Sequence, residues 1–294
     1  MSDSTPCRTT AKRPMAGAGV AVAQRDGVAV VTLCRPQARN ALDAAALEAL
    51  RDAFLTLADC AETRVVRLCG EGPAFCAGGD VDFFASLLEG SVVARREALH
   101  DYLGLAHEAI LALDALPWPL IAEARGAAAG FGLSLLCAAD RVIASESLRL
   151  VPAYAALGVS PDGGLSHRLP ALIGERRALN WLLGGDPITA AWAADWGLVD
   201  EVVPDTALEA SGEAVARRLA RGAYQALRQT KRLVRGQRRE ALADHLEAER
   251  RAFIEAASTP DFAEGLRAFL AKRAPIFSGP DETSRQAANQ GAAL

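Results

Sequence analysis

The chain has 294 residues, 51% of them hydrophobic and 23% charged, with a formal net charge of −4. That is enough for one large domain, or for a domain with a helical annex, and it excludes a disordered or collagen-like chain. The slight negative charge supplies no global field for nucleic acid, and no apolar stretch is long enough to read as a membrane span.

Arginine outnumbers lysine 29 to 3, which reads as genomic base composition rather than function. Six cysteines (Cys7, Cys34, Cys60, Cys69, Cys76, Cys137) form no CxxC pair and mostly sit in apolar runs. They read as reduced core thiols of a cytoplasmic protein. The four histidines are scattered, without metal-ligand spacing, so no metal is expected.

Residues 1–17 contain no apolar signal core and are expected to be a disordered N-terminal tail. Val20 to Ala23 and Val28 to Leu33 read as a hairpin around Arg25-Asp26-Gly27. Asp43 is an expected N-cap for the periodic run Leu47, Leu50, Phe54, Leu57. A strand from Val65 to Cys69 enters the turn Cys76-Ala77-Gly78-Gly79-Asp80. A short helix near Phe83 to Leu88 follows, with Asp80 and Asp82 as expected caps. Val92 to Leu116 reads as a long amphipathic helix.

Leu120 to Ala124 is a strand that leads to a second glycine-rich turn, Gly126 to Gly132. A helix from Leu133 to Ala139 and a strand from Arg141 to Ala144 come next. From about Ala178 the strand signal fades. Ala207 to Arg273 reads as successive helices broken near Ser258-Thr259-Pro260, with the basic run Arg217 to Arg239 as a solvated helical face. Strand and helix alternate with short connections, so the expected class is α/β with mostly parallel sheets. The expected divisions are a tail over 1–17, a core over 18–205, a helical C-terminal extension over 206–279 and a disordered tail over 280–294.

The two glycine turns carry the functional signal. Each sits between a strand and a helix, and glycine permits close backbone approach there. Such turns serve either tight packing or ligand approach. A helix start leaves amides pointing outward, so two such turns aimed at one point would hold an oxyanion. There is no GxGxxG and no GK[ST], which removes the dinucleotide and P-loop readings.

Five ordered motifs resemble the crotonase, or enoyl-CoA hydratase/isomerase, superfamily over Val20 to Gly279. Arg35 to Leu42 looks like its RPxxxNAL turn, and Phe75 to Asp80 like its F-C/S-A-G-x-D turn. Gly126 to Asp140 looks like its second glycine turn with helix. Ala190 to Val199 resembles its A…A…GLV segment, and Glu264 to Phe277 its closing signature. The resemblance implies a crotonase-like spiral of ββα units with a helical C-terminal extension. It also implies an acyl-CoA thioester as substrate, with coenzyme A entering only as part of that substrate and no other cofactor. A homotrimer or hexamer (a dimer of trimers) is implied as well, with no nucleic acid or membrane partner and a place in fatty acid metabolism.

Carried over by position, the amides of Gly79 and Phe131 are the implied oxyanion hole. The implied substrate-binding set is Arg39, Ala41, Ala77, Gly78, Asp80, Phe84, Gly130, Tyr154, Lys272 and Arg273. Phe83, Phe84, Leu87, Leu88 and Tyr154 fit either an acyl pocket or plain core packing.

Hydratases of the family use two glutamates, and this chain has Ser134 and Tyr154 at the matching positions. One carboxylate falls nearby, Asp162 in Ser160-Pro161-Asp162-Gly163-Gly164. That context resembles the single-aspartate isomerases of the phenylacetate type, in which one acid shuttles a proton, and Asp162 is the implied catalytic acid. Read alone, Pro-Asp-Gly is also an ordinary turn. Burial near Leu157 and Val159 would raise its pKa into a useful range. The expected activity is enoyl-CoA double-bond isomerisation. The alternatives are hydration, thioester hydrolysis or dehalogenase-like chemistry, and acyl-CoA binding without turnover. Glu123 and Arg125 share a strand face and read as a buried ion pair or a subunit contact.

Overall fold

The computed structural model describes residues 13–14 and 19–277, the side chains of 13–14 and 237–240 excepted. Of the two expected tails, 280–294 lies outside the described residues. So does most of 1–17, of which only Arg13–Pro14 is described, as the short strand β1.

β2 (Val20–Arg25) and β3 (Val28–Leu33) form the expected hairpin. Asp26 and Gly27 both take positive φ, 52° and 80°, a two-residue turn whose twist suits antiparallel strands. Asp43 caps α1 (Ala44–Asp59), accepting from the Ala46 amide at 2.8 Å. Leu47, Leu50, Phe54 and Leu57 recur along one face of α1 and are buried. β4 (Val65–Gly70) enters the first glycine turn. α2 (Val81–Ser86) follows it, capped by Asp80 through the Asp82 amide, so Asp82 lies in the first turn and is not itself the cap. α3 (Val92–Ala115) packs along α1.

β5 (Leu120–Ala124) leads to β6 (Ala127–Ala129), a short strand inside the second glycine turn. α4 (Phe131–Ala138) starts two residues before the expected helix, and all eight of its residues are buried. β7 (Arg141–Ser145) and β8 (Arg149–Val151) follow, then a single 3-10 turn at Ala155–Leu157. After it come α5 (Leu165–Ile173), α6 (Glu175–Gly184), β9 (Ile188–Thr189), α7 (Ala190–Asp195) and β10 (Glu201–Val203). The extension is α8 (Leu208–Ala220), α9 (Tyr224–Ala257) and α10 (Pro260–Leu270). The expected spiral of ββα units with a helical C-terminal extension is present.

The main sheet has the order β1-β2-β3-β4-β5-β7-β10, and it is parallel from β3 onward. A second sheet has the order β6-β8-β9. The sequence reading let strands fade from Ala178, yet β9 and β10 lie beyond it, and β10 extends the main sheet beside β7. These pieces have two and three residues, too few to display a period of two.

Alternation along β4 and β5 sorts side chains to two faces. Val65, Ile121 and Ile143 pack under α8 with Leu208, Val215 and Ala216. Val66, Leu68, Ala122 and Ala124 face the larger core with α1, α3 and α4. Arg67 and Glu123 belong to the α8 face. They form a buried bidentate pair, Nε to Oε1 at 2.5 Å and Nη2 to Oε2 at 2.7 Å. Gly212 on α8 leaves the space, since a Cβ there would collide with the Glu123 carboxylate. Of the two readings of Glu123, the buried ion pair is present, but its partner is Arg67 rather than Arg125.

The basic run is not uniformly solvated. Lys231 Nζ reaches Asp140 Oδ2 and the Trp118 carbonyl, both at 2.7 Å. Arg235 pairs with Asp140 Oδ1 at 2.7 Å and donates to the Ala138 and Ala139 carbonyls at 2.9 and 3.0 Å. Those carbonyls end α4, where cations are favoured. A charge run looks like a surface in one dimension. The Asp140 carboxylate between α4 and β7, with the carbonyl end of α4, turns two of its members inward.

Candidate active site

The two glycine turns lie against each other. Phe75 N donates to Arg125 O at 2.8 Å, Cys76 N to Ala127 O at 3.0 Å, and Ala129 N to Cys76 O at 3.0 Å. A Cβ on Gly132 would collide with the Cys76 carbonyl, and one on Gly126 with the Pro73 carbonyl. Only glycine lets these backbones approach so closely. Burial pushes the Cys76 thiol up to about 12, so it stays protonated in this packing role.

Leu42 bridges the first turn in parallel fashion, using Gly78 O at 2.8 Å and Asp80 N at 3.1 Å. The Gly79 amide therefore points away from that bridge. Phe131 opens α4, so its amide has no acceptor within the helix. Gly78 takes φ 97°, and a Cβ on it would lie 3.3 Å from Phe131 N. Asn40 braces the arrangement from below: its side-chain amide donates to Glu71 O at 2.9 Å and Ala74 O at 2.8 Å, and its Oδ1 accepts from Arg35 N at 2.9 Å.

A cavity of about 250 Å³ opens in front of these amides. Arg39, Ala77, Gly78, Gly79, Phe84, Gly130, Phe131, Tyr154 and Asp162 all line it. Leu47, Val81, Tyr102, Ala106 and Phe253 line it as well. The Phe84 ring contacts Tyr102 and Phe253 in the lining and Phe262 outside it, with ring separations of 5.5 to 6.4 Å. The Tyr102 hydroxyl is committed to Leu42 O at 2.6 Å, so it presents hydrocarbon to the cavity.

Asp162 is buried, 6% exposed. Tyr154 OH donates to its Oδ1 at 2.7 Å. Ser134 Oγ lies 3.1 Å from Tyr154 OH and donates to the Asp162 backbone carbonyl at 2.8 Å. Burial pushes the Asp162 carboxyl up to about 7, against the pull of the Tyr154 hydrogen bond and with help from the Glu249 charge. The hydroxyls can satisfy either form. With Asp162 ionised, Tyr154 donates to it; with Asp162 protonated, the acid donates to Tyr154 and Tyr154 turns to Ser134. Ser134 and Tyr154 thus form a hydroxyl relay behind Asp162, the one acid among the described residues that line the cavity.

Four residues of the implied substrate set lie outside the cavity lining. Ala41 is buried, and its carbonyl accepts from Arg35 Nη1 at 2.6 Å. Asp80 caps α2 and pairs with Arg35 Nη2 at 2.8 Å. Lys272 is exposed just past the end of α10, in the left-handed region at φ 52°. Arg273 is held by both Glu264 oxygens, at 2.6 and 2.9 Å. Sequence reasoning missed Tyr102, Phe253 and Phe269 as cavity residues. Their helical spacing is that of ordinary core positions, and no local signal separates the two. Among the described residues no cluster of His, Cys, Asp and Glu could hold a metal ion, and no helix is long and apolar enough to cross a membrane.

Comparison with known proteins bears on this geometry. The family model described as enoyl-CoA hydratase/isomerase matches residues 23–280. A Rhodobacter capsulatus protein named "Probable enoyl-CoA hydratase" is 38% identical over 256 residues, covering 86% of this chain and 95% of that protein. The 1,2-epoxyphenylacetyl-CoA isomerase of Escherichia coli K12 is 32% identical over 258 residues, covering 86% of this chain and 95% of that one. Among solved structures, an enoyl-CoA hydratase from Mycobacterium avium subsp. paratuberculosis K-10 superposes with a TM-score of 0.80 at 32% identity. It covers 89% of this chain and 99% of its own. Hydratase and isomerase names stand side by side among these relatives, and nothing in them singles out the phenylacetate-type subgroup. The chain belongs to the crotonase, or enoyl-CoA hydratase/isomerase, superfamily of acyl-CoA-processing enzymes.

Proposed function

We propose that the protein is an enoyl-CoA isomerase that works with one acid. The observation that carries this reading is Asp162, the one carboxyl among the described residues that line the cavity, buried and with a pKa raised to about 7. Near neutral pH such a group is present in both forms, so it takes a proton from one carbon and returns it to another. The thioester oxygen, gaining charge in the enolate, accepts from the Gly79 and Phe131 amides. Each such donor is worth roughly 2.7–4 kcal/mol of transition-state stabilisation. The neutral Ser134 and Tyr154 leave no second carboxylate to activate water.

Arg39, Ala77, Gly78 and Gly130 would border the thioester and nucleotide side of the cavity, with Phe84 and Tyr154 on the acyl side. Ala41 and Asp80 would act through the turn they brace. Lys272, exposed past α10, would meet the nucleotide directly, and Arg273 only if its Glu264 contact opens. Exposed Leu179, Leu183 and Trp192, at 56%, 72% and 60%, support burial of the α6–α7 face in a homotrimer or hexamer, which light scattering on the purified protein would test.

The test is conversion of a 3-enoyl-CoA to its conjugated isomer, with Asp162→Asn expected to lose at least about 100-fold in kcat while still binding the thioester. Unchanged turnover in that variant would overturn the reading. Hydration is the second reading, favoured by the hydratase names of the relatives at 38% and 32% identity. Water labelled with ¹⁸O separates the two: label in the product means water addition, and none means proton shuttling.

A further inference from the structure

The turn that carries Asp162 is soft by composition. Gly163 and Gly164 follow it at φ 64° and 75°, and α5 begins directly after them with no side-chain cap of its own. Two glycines in succession give little intrinsic preference for one direction of the acid. On one side the turn is pinned by α4: a Cβ on Gly163 would meet the Phe131 ring at 2.8 Å and Ser134 Cβ at 2.9 Å.

On the other side it is pinned from the C-terminal extension. Glu249 of α9 is buried, 5% exposed. Its Oε2 accepts from Gly164 N at 2.6 Å, and its Oε1 from Ser166 N at 3.0 Å and Ser166 Oγ at 2.5 Å. A carboxylate from a helix more than eighty residues away thus fills the capping role that glycine cannot, at the helix end where negative charge is favoured. Glu249 does not line the cavity.

We propose that Glu249 is a positioning residue for Asp162: it clamps the Gly163-Gly164 turn from the extension and sets a negative charge behind the cavity acid. The proposal rests on the reading of Asp162 as the working acid, but its physical content concerns only the direction and titration of that side chain. The Glu249 charge opposes ionisation of Asp162, in addition to burial. The other groups that bear on the pair are few. Tyr154, Ser134 and Tyr102 face Asp162 from the 3-10 turn, α4 and α3. Ser166 of α5 faces Glu249, and His245, one turn back on α9, lies 2.8 Å from Ser166 Oγ and 3.9 Å from Glu249 Oε1. Arg168, near Gly164, is already paired with Asp114 at 2.8 Å.

The test follows the two carboxyls by ¹³C NMR in full-length protein labelled at Asp Cγ and Glu Cδ, with Asp162→Asn to assign the signal. This readout needs no turnover, so the proposal can fail while the isomerase reading stands, and the reverse. In Glu249→Gln the Asp162 midpoint is expected to fall by roughly one pH unit. The acid limb of kcat/KM is expected to fall with it. A merely structural cap would lower stability without moving that midpoint, and an unmoved midpoint overturns the proposal. Should Glu249→Gln fail to fold, the wild type decides. Glu249 is expected to ionise below Asp162; a Glu249 that stays protonated throughout the Asp162 titration overturns the proposal.

Discussion

The Tyr154 hydroxyl donates to Asp162 Oδ1 at 2.7 Å with both groups buried. This bond favours the carboxylate, and burial opposes it. Tyr154→Phe removes the only one of the two that a point change can delete without opening the cavity. The Asp162 pKa is expected to rise by roughly one unit. The acid limb of the kcat/KM profile then moves to higher pH: activity falls several-fold at pH 7 and recovers near pH 8 to 9. A profile displaced downward, or merely scaled at every pH, would contradict this account.

Ser134→Ala should act in the opposite sense. Ser134 accepts from Tyr154 when Asp162 is protonated, so its loss penalises the neutral acid. The Asp162 midpoint is expected to drop by a few tenths of a unit. Paired pH profiles of Tyr154→Phe and Ser134→Ala thus bracket the wild type from both sides.

Asp162 also ties stability to pH. Its pKa is raised from 3.8 to about 7 on folding, so the folded state holds the proton more tightly. Its contribution is fully present below about pH 4 and is lost as pH rises through about 7. The upper bound on that loss is about 4 kcal/mol. Asp162→Asn keeps an acceptor for Tyr154 and carries no charge. It should therefore raise Tm at pH 8 relative to wild type and leave Tm nearly unchanged at pH 4.5. Differential scanning at the two pH values checks the sign.

The Arg67–Glu123 pair lies on the face opposite α4, under α8. Glu123→Ala leaves a buried guanidinium uncompensated and should cost about 3–5 kcal/mol in urea unfolding. The double change Arg67→Met with Glu123→Leu should recover most of that loss, because the desolvation cost disappears with both charges.

Gly132→Ala places a methyl group against the Cys76 carbonyl and must push the two glycine turns apart. The expected loss of stability is about 1–3 kcal/mol. Turnover should fall much further than that if the amides of Gly79 and Phe131 form the proposed oxyanion hole, because the shift would separate them. Equal relative losses in stability and kcat would argue that the contact is only structural.

Much of this was legible in the sequence because its signals are local. The hairpin, the Asp43 cap, β4, β5 and both glycine turns are each written within about a dozen residues. Asp162 was legible through a Pro-Asp-Gly context that resembles that of the family's single-aspartate isomerases, and it lines the cavity. What escaped is non-local. β8 to β10 are two or three residues long, below any period. Lys231 and Arg235 looked like surface until Asp140 and the end of α4 came to meet them. Glu249 gave no sign at all, because the turn it serves lies more than eighty residues earlier.

Helix α9 grips the protein at two separated points: Arg235 holds the carbonyl end of α4 while Lys231 holds Asp140 just past it, and Glu249 holds the amide end of α5. If that single rod lifts, the anchor behind the Phe131 amide and the anchor behind Asp162 are released together. Amide exchange along α9 and loss of turnover on warming should therefore follow one common curve, ahead of the strands beneath.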